Sequence, residues 1–302
     1  MTAQPTLVPE AVQVAIGEHE GLLRLAVGRF VHHRLAMLGF IILTTIILIA
    51  TFLPLLIPLD PIKPDYDNLG MPPTAVHILG GDLAGRDVFA RVVYGTRISL
   101  IAGLGAVVVF VTIGTTVGLI AGAFGGIADQ VLMRFTDIIM SVPPLLLIIV
   151  FISIVGTGLT SVMVVIGLVF WPHTARLVRG QLLSLREAEF VIASRVIGVR
   201  ESEIVVRHML PNIFGGLTVV ATFGVASAIL LEASLSFVGL GVTPPTPSLG
   251  GMISAATSPT VLKNQPWVWL PPGIVIALIV MSVNFVGDGL RDALDPKASG
   301  RG

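Results

Sequence analysis

Between Ser184 and Asn212 the chain carries Arg186, Glu187, Glu189, Arg195, Arg200, Glu201, Glu203, Arg207 and His208, within 302 residues of which 12% are charged and 54% hydrophobic. Side chains of these types form ion pairs, cap helices and meet a polar or charged partner surface. Bond-making chemistry has little to stand on elsewhere. There is no cysteine, so no disulfide, thiolate nucleophile or thiolate metal site is available. None of the three lysines, Lys63, Lys263 and Lys297, follows a glycine, whereas a phosphate-cradling P-loop needs a Gly-Lys step. No HExxH or GxSxG is present, and the six histidines show no ligand spacing beyond the adjacent His32 and His33, which leaves no zinc site or nucleophile elbow. Eighteen basic residues balance eighteen acidic ones, so no global charge points to nucleic acid. The expectation is a protein that is not an enzyme, has no metal site, and uses its charged segment to be recognised.

The elements that must position this segment are membrane spans. With a mean hydropathy of +0.94 and recurring apolar runs, the solvent is lipid, and a helical crossing takes about 20 apolar residues. Six runs qualify: Leu35 to Leu59, Ile98 to Phe124, Ile138 to Val155, Leu159 to Ala175, Ile213 to Val242 and Trp269 to Val286. The fold class is therefore all-α and polytopic. The first run is too long for a signal-peptide core and stays as an anchor. The chain divides into a tail and interfacial helix over 1–34, a first span over 35–59, an external loop with a short amphipathic helix over 60–97, a core over 98–286 and a tail over 287–302. In the first of these, Leu22, Leu23, Leu25, Ala26, Phe30 and Val31 interleave with Arg24, Arg29, His32, His33 and Arg34, a pattern for an interfacial helix or for simple flanking charge.

Within the core, Gly156, Thr157 and Gly158 predict a tight turn between antiparallel third and fourth spans. Gly114, Gly118, Gly122 and Gly126 recur every four residues, a smooth face that packs closely against another backbone or slides along it during transport. Pro143 and Pro144 set where the third span begins or bends.

The charged segment itself reads as helix, bend, helix. Ser184 to Glu187 has the form of a capping box; Leu185, Ala188, Ile192 and Val196 then share one packing face. Gly198 stands where a left-handed cap ends a helix. A second helix runs from Glu201 to Met209, and Pro211 stops it.

Ile192-Ala193-Ser194, three residues, Gly198, nine residues, His208, one residue, Leu210-Pro211 resembles the EAA signature of ABC importer permeases: Glu-Ala-Ala, three residues, Gly, nine residues, Ile, one residue, Leu-Pro. Ile192 and His208 depart from it, and Ile192 removes the carboxylate that the family's glutamate presents. His-x-Leu-Pro-Asn is similar to the dipeptide and oligopeptide branch. So are HILGGDLAGRDVFARVVYGTRISL (His77 to Leu100), LEASLSFVGLG (Leu231 to Gly241) and GDGLRDALDPK (Gly287 to Lys297). The likeness runs from about Arg29 to Lys297 and fits the C-type permease of this branch.

That resemblance implies the six-helix type I importer permease fold and a peptide-importing role in the cytoplasmic membrane. It further implies a homologous second permease forming a heterodimer, one or two ATPase subunits that hold ATP and Mg, an external substrate-binding protein, and no cofactor in this chain. The segment 184–212 then becomes the ATPase-coupling helices, with Glu187, Glu189, Ala193, Ser194, Arg195, Gly198, Glu201, Arg207, His208, Leu210 and Pro211 as its residues; a basic loop obeying the positive-inside rule is the plainer alternative. Asp87 and Arg91, four apart, can pair on the outer helix, which Asp82 can cap; the resemblance suggests a place near the external gate, and a structural lid is the other reading. Glu232, the one carboxylate well inside a span, makes a contact with the partner permease or joins the gate. An ion-coupled carrier, a membrane-embedded scaffold, and a nickel or glutathione permease of the same branch are the competing functions.

Orientation follows from the basic residues. With the N-terminus inside, thirteen of the eighteen Lys and Arg residues fall on the cytoplasmic side, as the positive-inside rule requires. Reporter fusions after Phe30, within Thr157 to Thr160, after Arg186 and at the C-terminus are expected to read inside, outside, inside and inside. An external signal at Arg186 would remove the coupling assignment.

Overall fold

A computed structural model describes residues 27–294. Leu22 to Ala26 of the expected interfacial helix, and Lys297 and Arg301 of the tail, lie outside these residues; 27–32 are helical. Then follow α1 (Arg34–Leu56), α2 (Val88–Phe124), α3 (Gly126–Met140), α4 (Pro144–Val155), α5 (Leu159–Arg186), α6 (Glu189–Val196), α7 (Glu201–Ile204), a π turn (Val205–Met209), α8 (Leu210–Phe237), α9 (Leu249–Ile253), α10 (Pro259–Asn264) and α11 (Pro266–Leu294). Extended pairing among the described residues is limited to a bridge between Gly81 and Asp87.

Five helices are long and apolar enough to cross a membrane: α1, α2, α5, the unit Glu201–Phe237, and α11. The sixth crossing is the pair α3 and α4, bent by 88°. The third span is thus broken at the prolines expected to mark its start or a bend, and it begins at Gly126, earlier than the Ile138 expected. The cause of the break is local: neither Pro143 nor Pro144 can donate a backbone hydrogen bond, and a residue preceding proline avoids the helical region. Pro143 is extended at ψ 127°, and α4 starts afresh at Pro144.

Other helices outrun the apolar stretches that announced them. Lipid thickness limits the apolar run, but the backbone continues while its polar ends are solvated or paired. The amphipathic helix expected near Val88 is the first turns of α2, and α5 continues past Ala175 to Arg186. There Arg176 and Arg179 meet Asp137 and Asp129 of α3, at 2.6 Å and 2.5 Å.

Helix directions are legible in the contacts at glycines. A Cβ on Gly114 would come 2.5 Å from Thr174 Cβ, one on Gly118 2.7 Å from the Ala175 carbonyl, and one on Gly122 2.8 Å from Leu182 Cβ. The partners rise in step, so α2 and α5 are parallel, and the bent pair between them must return the chain across the full thickness. Gly126 is not part of this seam: it has open space around it and a φ of +56° at the start of α3. Against α8 the order reverses, Ser99 with Glu232 and Phe110 with Gly224, and α1 likewise opposes α11, Ala36 with Gly289 and Gly39 with Ser282. The expected turn after α4 is present, with Gly156 and Gly158 both at positive φ.

Replacing Gly118 with Val is expected to destabilise the subunit by about 1–3 kcal/mol, because the new Cβ meets backbone that cannot retreat. Gly180→Ala, at a helical site with open space around it, should be neutral or slightly stabilising. Thermal unfolding of both purified variants checks this; equal midpoints would mean that the seam does not hold α2 to α5.

Candidate functional site

The charged segment is anchored from below. Val178 and Leu182 of α5, Val191 of α6, Ile204, Val205 and Met209 beyond the bend, and Ile213 and Leu217 of α8 form one buried cluster. The segment is thereby packed onto two membrane helices and is not a slack connection.

Its local structure departs from the expectation at the start. Ser184 belongs to the last turn of α5, where its carbonyl accepts from the Glu187 amide; Glu187 ends that helix, and α6 begins at Glu189 after an extended Ala188 without a side-chain cap. The capping box is therefore not formed, because those four residues complete the preceding helix. Shifting the start moves the buried face: Val191 is buried, whereas Ile192, Val196 and Ile197 are 49%, 81% and 80% exposed. Phe190 is exposed beside them, as are Glu187, Glu189 and Ala193.

The bend itself is as expected. Gly198 has φ +82°, its amide donates to the Arg195 carbonyl, and the Val199 amide donates to the Ser194 carbonyl, the paired bonds of a Schellman cap. Arg195 clamps the corner with two bonds to Glu201, Nη2–Oε1 at 2.5 Å and Nε–Oε2 at 3.1 Å; this pairing holds its guanidinium above the ordinary arginine range. Ser194 donates to the Phe190 carbonyl, and Arg207 pairs with Glu203 at 2.6 Å on an exposed face that includes His208.

Pro211 does not stop the second helix. The chain passes through the π turn Val205–Met209 into Leu210–Phe237, where Pro211 occupies the first turn. The wide turn relieves the clash between the proline ring and the preceding carbonyls, and the Leu210 amide donates to Val205 five residues back. Leu210 packs on the buried cluster.

At the other end, Asp87 caps α2 by accepting from the Ala90 amide at 2.8 Å and is held by His77 Nδ1 at 2.7 Å; His77 Nε2 lies 3.4 Å from Asp65. Asp82 does not cap the helix: it accepts from the Ala84 and Arg86 amides and from Arg86 Nε. Nor do Asp87 and Arg91 form their expected pair. The Asp87 carboxylate turns back over the helix start, while Arg91 is buried and donates through Nη1 to the Pro61 carbonyl at 3.0 Å.

Glu232 is fully buried within its own subunit. Ser99 and Ser236 donate to its two oxygens at 2.8 Å and 2.7 Å, so the contact expected with a second permease is made internally. Ser99 also accepts from the Leu249 amide, Ser236 from the Val242 amide and the Ser248 hydroxyl, and Ser248 caps α9. Sequence reading missed these serines, together with the Asp129–Arg179 and Asp137–Arg176 pairs, because their partners are distant in the chain.

A bundle of five long apolar helices and one bent pair, with a packed helix-turn-helix at one end, defines a polytopic membrane protein. Comparison makes the class specific. Residues 114–300 match the family described as binding-protein-dependent transport system inner membrane component, and 21–73 match the N-terminal transmembrane domain of oligopeptide transport permease C. The chain is 43% identical over 265 residues to the dipeptide transport system permease protein of Alkalihalophilus pseudofirmus, covering 88% of this chain and 86% of that protein. It is 40% identical over 270 residues to the glutathione transport system permease protein of Pectobacterium atrosepticum, covering 89% of each. A chain of the inward-facing MetNI methionine ABC transporter matches with a TM-score of 0.55 at 23% identity, over 68% of this chain and 96% of that one, which places the fold among ABC transporter permeases. The protein belongs to the binding-protein-dependent transport family of inner-membrane components, in its dipeptide and oligopeptide permease branch.

The clasp of His77 with Asp87 and Asp65 is expected to respond to pH. The hydrogen bond from Asp87 raises the His77 pKa, with Asp65 adding to the shift. A raised folded-state value means that the clasp's stabilisation is fully present below the ordinary histidine pKa of about 6.5 and fades as pH rises through the higher folded value. The stability gap between the parent and His77→Gln is expected to be larger at pH 5.5 than at pH 9. A gap independent of pH would show that His77 has the same pKa folded and unfolded, so that the clasp does not depend on its charge.

Proposed function

We propose that this chain is the C-type permease subunit of an ATP-driven importer of peptides. It works with a homologous second permease, one or two ATPase subunits that bind ATP and Mg, and an external substrate-binding protein; hydrolysis occurs in the ATPases. Both termini and the 184–212 segment face the cytoplasm, in keeping with the distribution of basic residues.

The carrying observation is the exposed apolar surface of Phe190, Ile192, Val196 and Ile197, presented on a glycine-capped corner whose other side is buried against α5 and α8. A solvated loop has no use for such a patch, whereas a docking helix does. Glu187, Glu189, Arg207 and His208 supply an exposed polar rim. Ile192, standing where the family signature has glutamate, contributes apolar contact in place of an ion pair. Motion imposed on this corner is delivered to two spans through Val191, Ile204 and Met209.

Ion coupling is disfavoured by Glu232, whose oxygens are engaged by two serines away from water. Peptides are favoured as cargo by the named relatives, among which the glutathione permease keeps a tripeptide of unusual linkage within the same class.

Reconstituted with its partners, the parent should take up peptide only when the ATPases and ATP are present, and a proton or sodium gradient alone should give no uptake. Gly198→Val should reach the membrane and pair with the second permease, since its spans are unaltered. The bend at φ +82° strains a β-branched residue, so ATPase retention and stimulated hydrolysis should fall several-fold. Parental values of both would make the segment a connecting loop.

A further inference from the structure

We propose that a cavity of about 310 Å³ between the Asp82–Arg91 stretch and the 251–268 region is a carboxylate-binding site at the external mouth, with Arg91 as its anchor. This rests on the importer reading and its orientation.

Arg91 is 8% exposed, yet its charge is poorly met by the protein. Nη1 donates to the Pro61 carbonyl at 3.0 Å, a neutral acceptor. Nε lies 3.5 Å from Asp82 Oδ2, beyond a normal hydrogen bond. Asp82 is already engaged: Oδ1 accepts two backbone amides, and Oδ2 accepts Arg86 Nε at 2.8 Å. Among the described residues no protein acceptor is seen for Nη2, which is not one of the fully enclosed unpaired atoms and so opens toward the cavity that Arg91 lines. A guanidinium offers five donors in a fixed fork, and a buried charge without full pairing is costly. One anion with two oxygens supplies what is missing.

The cavity suits a carboxylate on an apolar stem. Its charged lining is Arg86, Arg91 and Asp82, a surplus of one positive charge, and Met252, Ala255 and Val268 form apolar walls. Such walls exclude water and strengthen the pairing between guanidinium and carboxylate. The volume lies at the small end of ligand sites, enough for a peptide terminus or an acidic side chain. Two sources can present that group: the C-terminal carboxylate of the cargo, or an acidic residue of the docked binding protein.

The test uses the complete reconstituted transporter with its cognate binding protein, and Ala-Ala-Ala and its C-terminal amide as probes. Because Arg91 also braces Pro61, Arg91→Lys is accompanied by Ala255→Phe, which fills the cavity and leaves the Arg91 contacts in place. If the cargo supplies the carboxylate, the ratio of acid to amide uptake falls about fivefold or more in both variants, with binding-protein docking unchanged. If the docked protein supplies it, the ratio holds, and docking affinity falls by a similar factor in a salt-sensitive way. Parental ratio and parental docking in Ala255→Phe overturn the site. Failure of the parent to transport with ATP overturns the importer reading instead, a result distinct from a working parent matched by its variant.

Discussion

The bundle depends on the approach of α2 to α5. Three glycines spaced by four let α2 come so near that a single added carbon on any of them would collide with Thr174, the Ala175 carbonyl or Leu182. Lipid supplies no hydrophobic drive to bring helices together, so close van der Waals packing must do it. The two helices are parallel, which forces the intervening chain to recross the membrane, and the proline-broken pair α3 and α4 is how it does so. The ion pairs of Asp129 and Asp137 with Arg179 and Arg176 then tie that broken span back to α5.

On this pairing the two ends are built. The end that carries the charged segment grows out of α5: its last turns carry Val178 and Leu182 into the cluster that seats α6, the π turn and the start of α8. Rigidity there is a product of apolar burial, one left-handed glycine and the Arg195–Glu201 clamp. The exposed apolar residues Phe190, Ile192, Val196 and Ile197 are left over from this packing, and an apolar patch on such a platform is the form expected of a surface that presses on another protein.

The opposite end combines a polar network with an apolar cluster that includes Val88, Val92, Leu249, Met252, Val261 and Val268. Glu232 of α8 is joined to α2 by Ser99 and is also held by Ser236 on its own helix, and the two serines receive amides and a hydroxyl from the segment leading into α9. A carboxylate at this depth is tolerated because each oxygen has a donor. At the start of α2, several turns from Ser99, Asp87 serves at once as helix cap and as acceptor for His77. Both ends therefore combine apolar burial with ion pairs and hydrogen bonds, and the His77 clasp at the start of α2 adds a group whose charge depends on pH.

By itself the sequence determined membrane residence, the six crossings, the turn at Gly156 to Gly158, the interruption at Pro143-Pro144 and the left-handed bend at Gly198. Each depends on quantities summed or constrained locally: apolar length against bilayer thickness, or the backbone angles that glycine allows and proline forbids. Only the tertiary structure decided that Val191 and not Ile192 faces inward, because that turns on where α5 ends and α6 begins. It likewise decided that Ser184 finishes a helix it was expected to start, that Pro211 continues one through a π turn, and that Asp87 meets His77 while Arg91 meets Pro61. Glu232 finds Ser99 133 positions away. Side-chain partners are chosen by distance in space, and spacing along one helix carries no information about which residues a neighbouring helix or loop will bring within 3 Å.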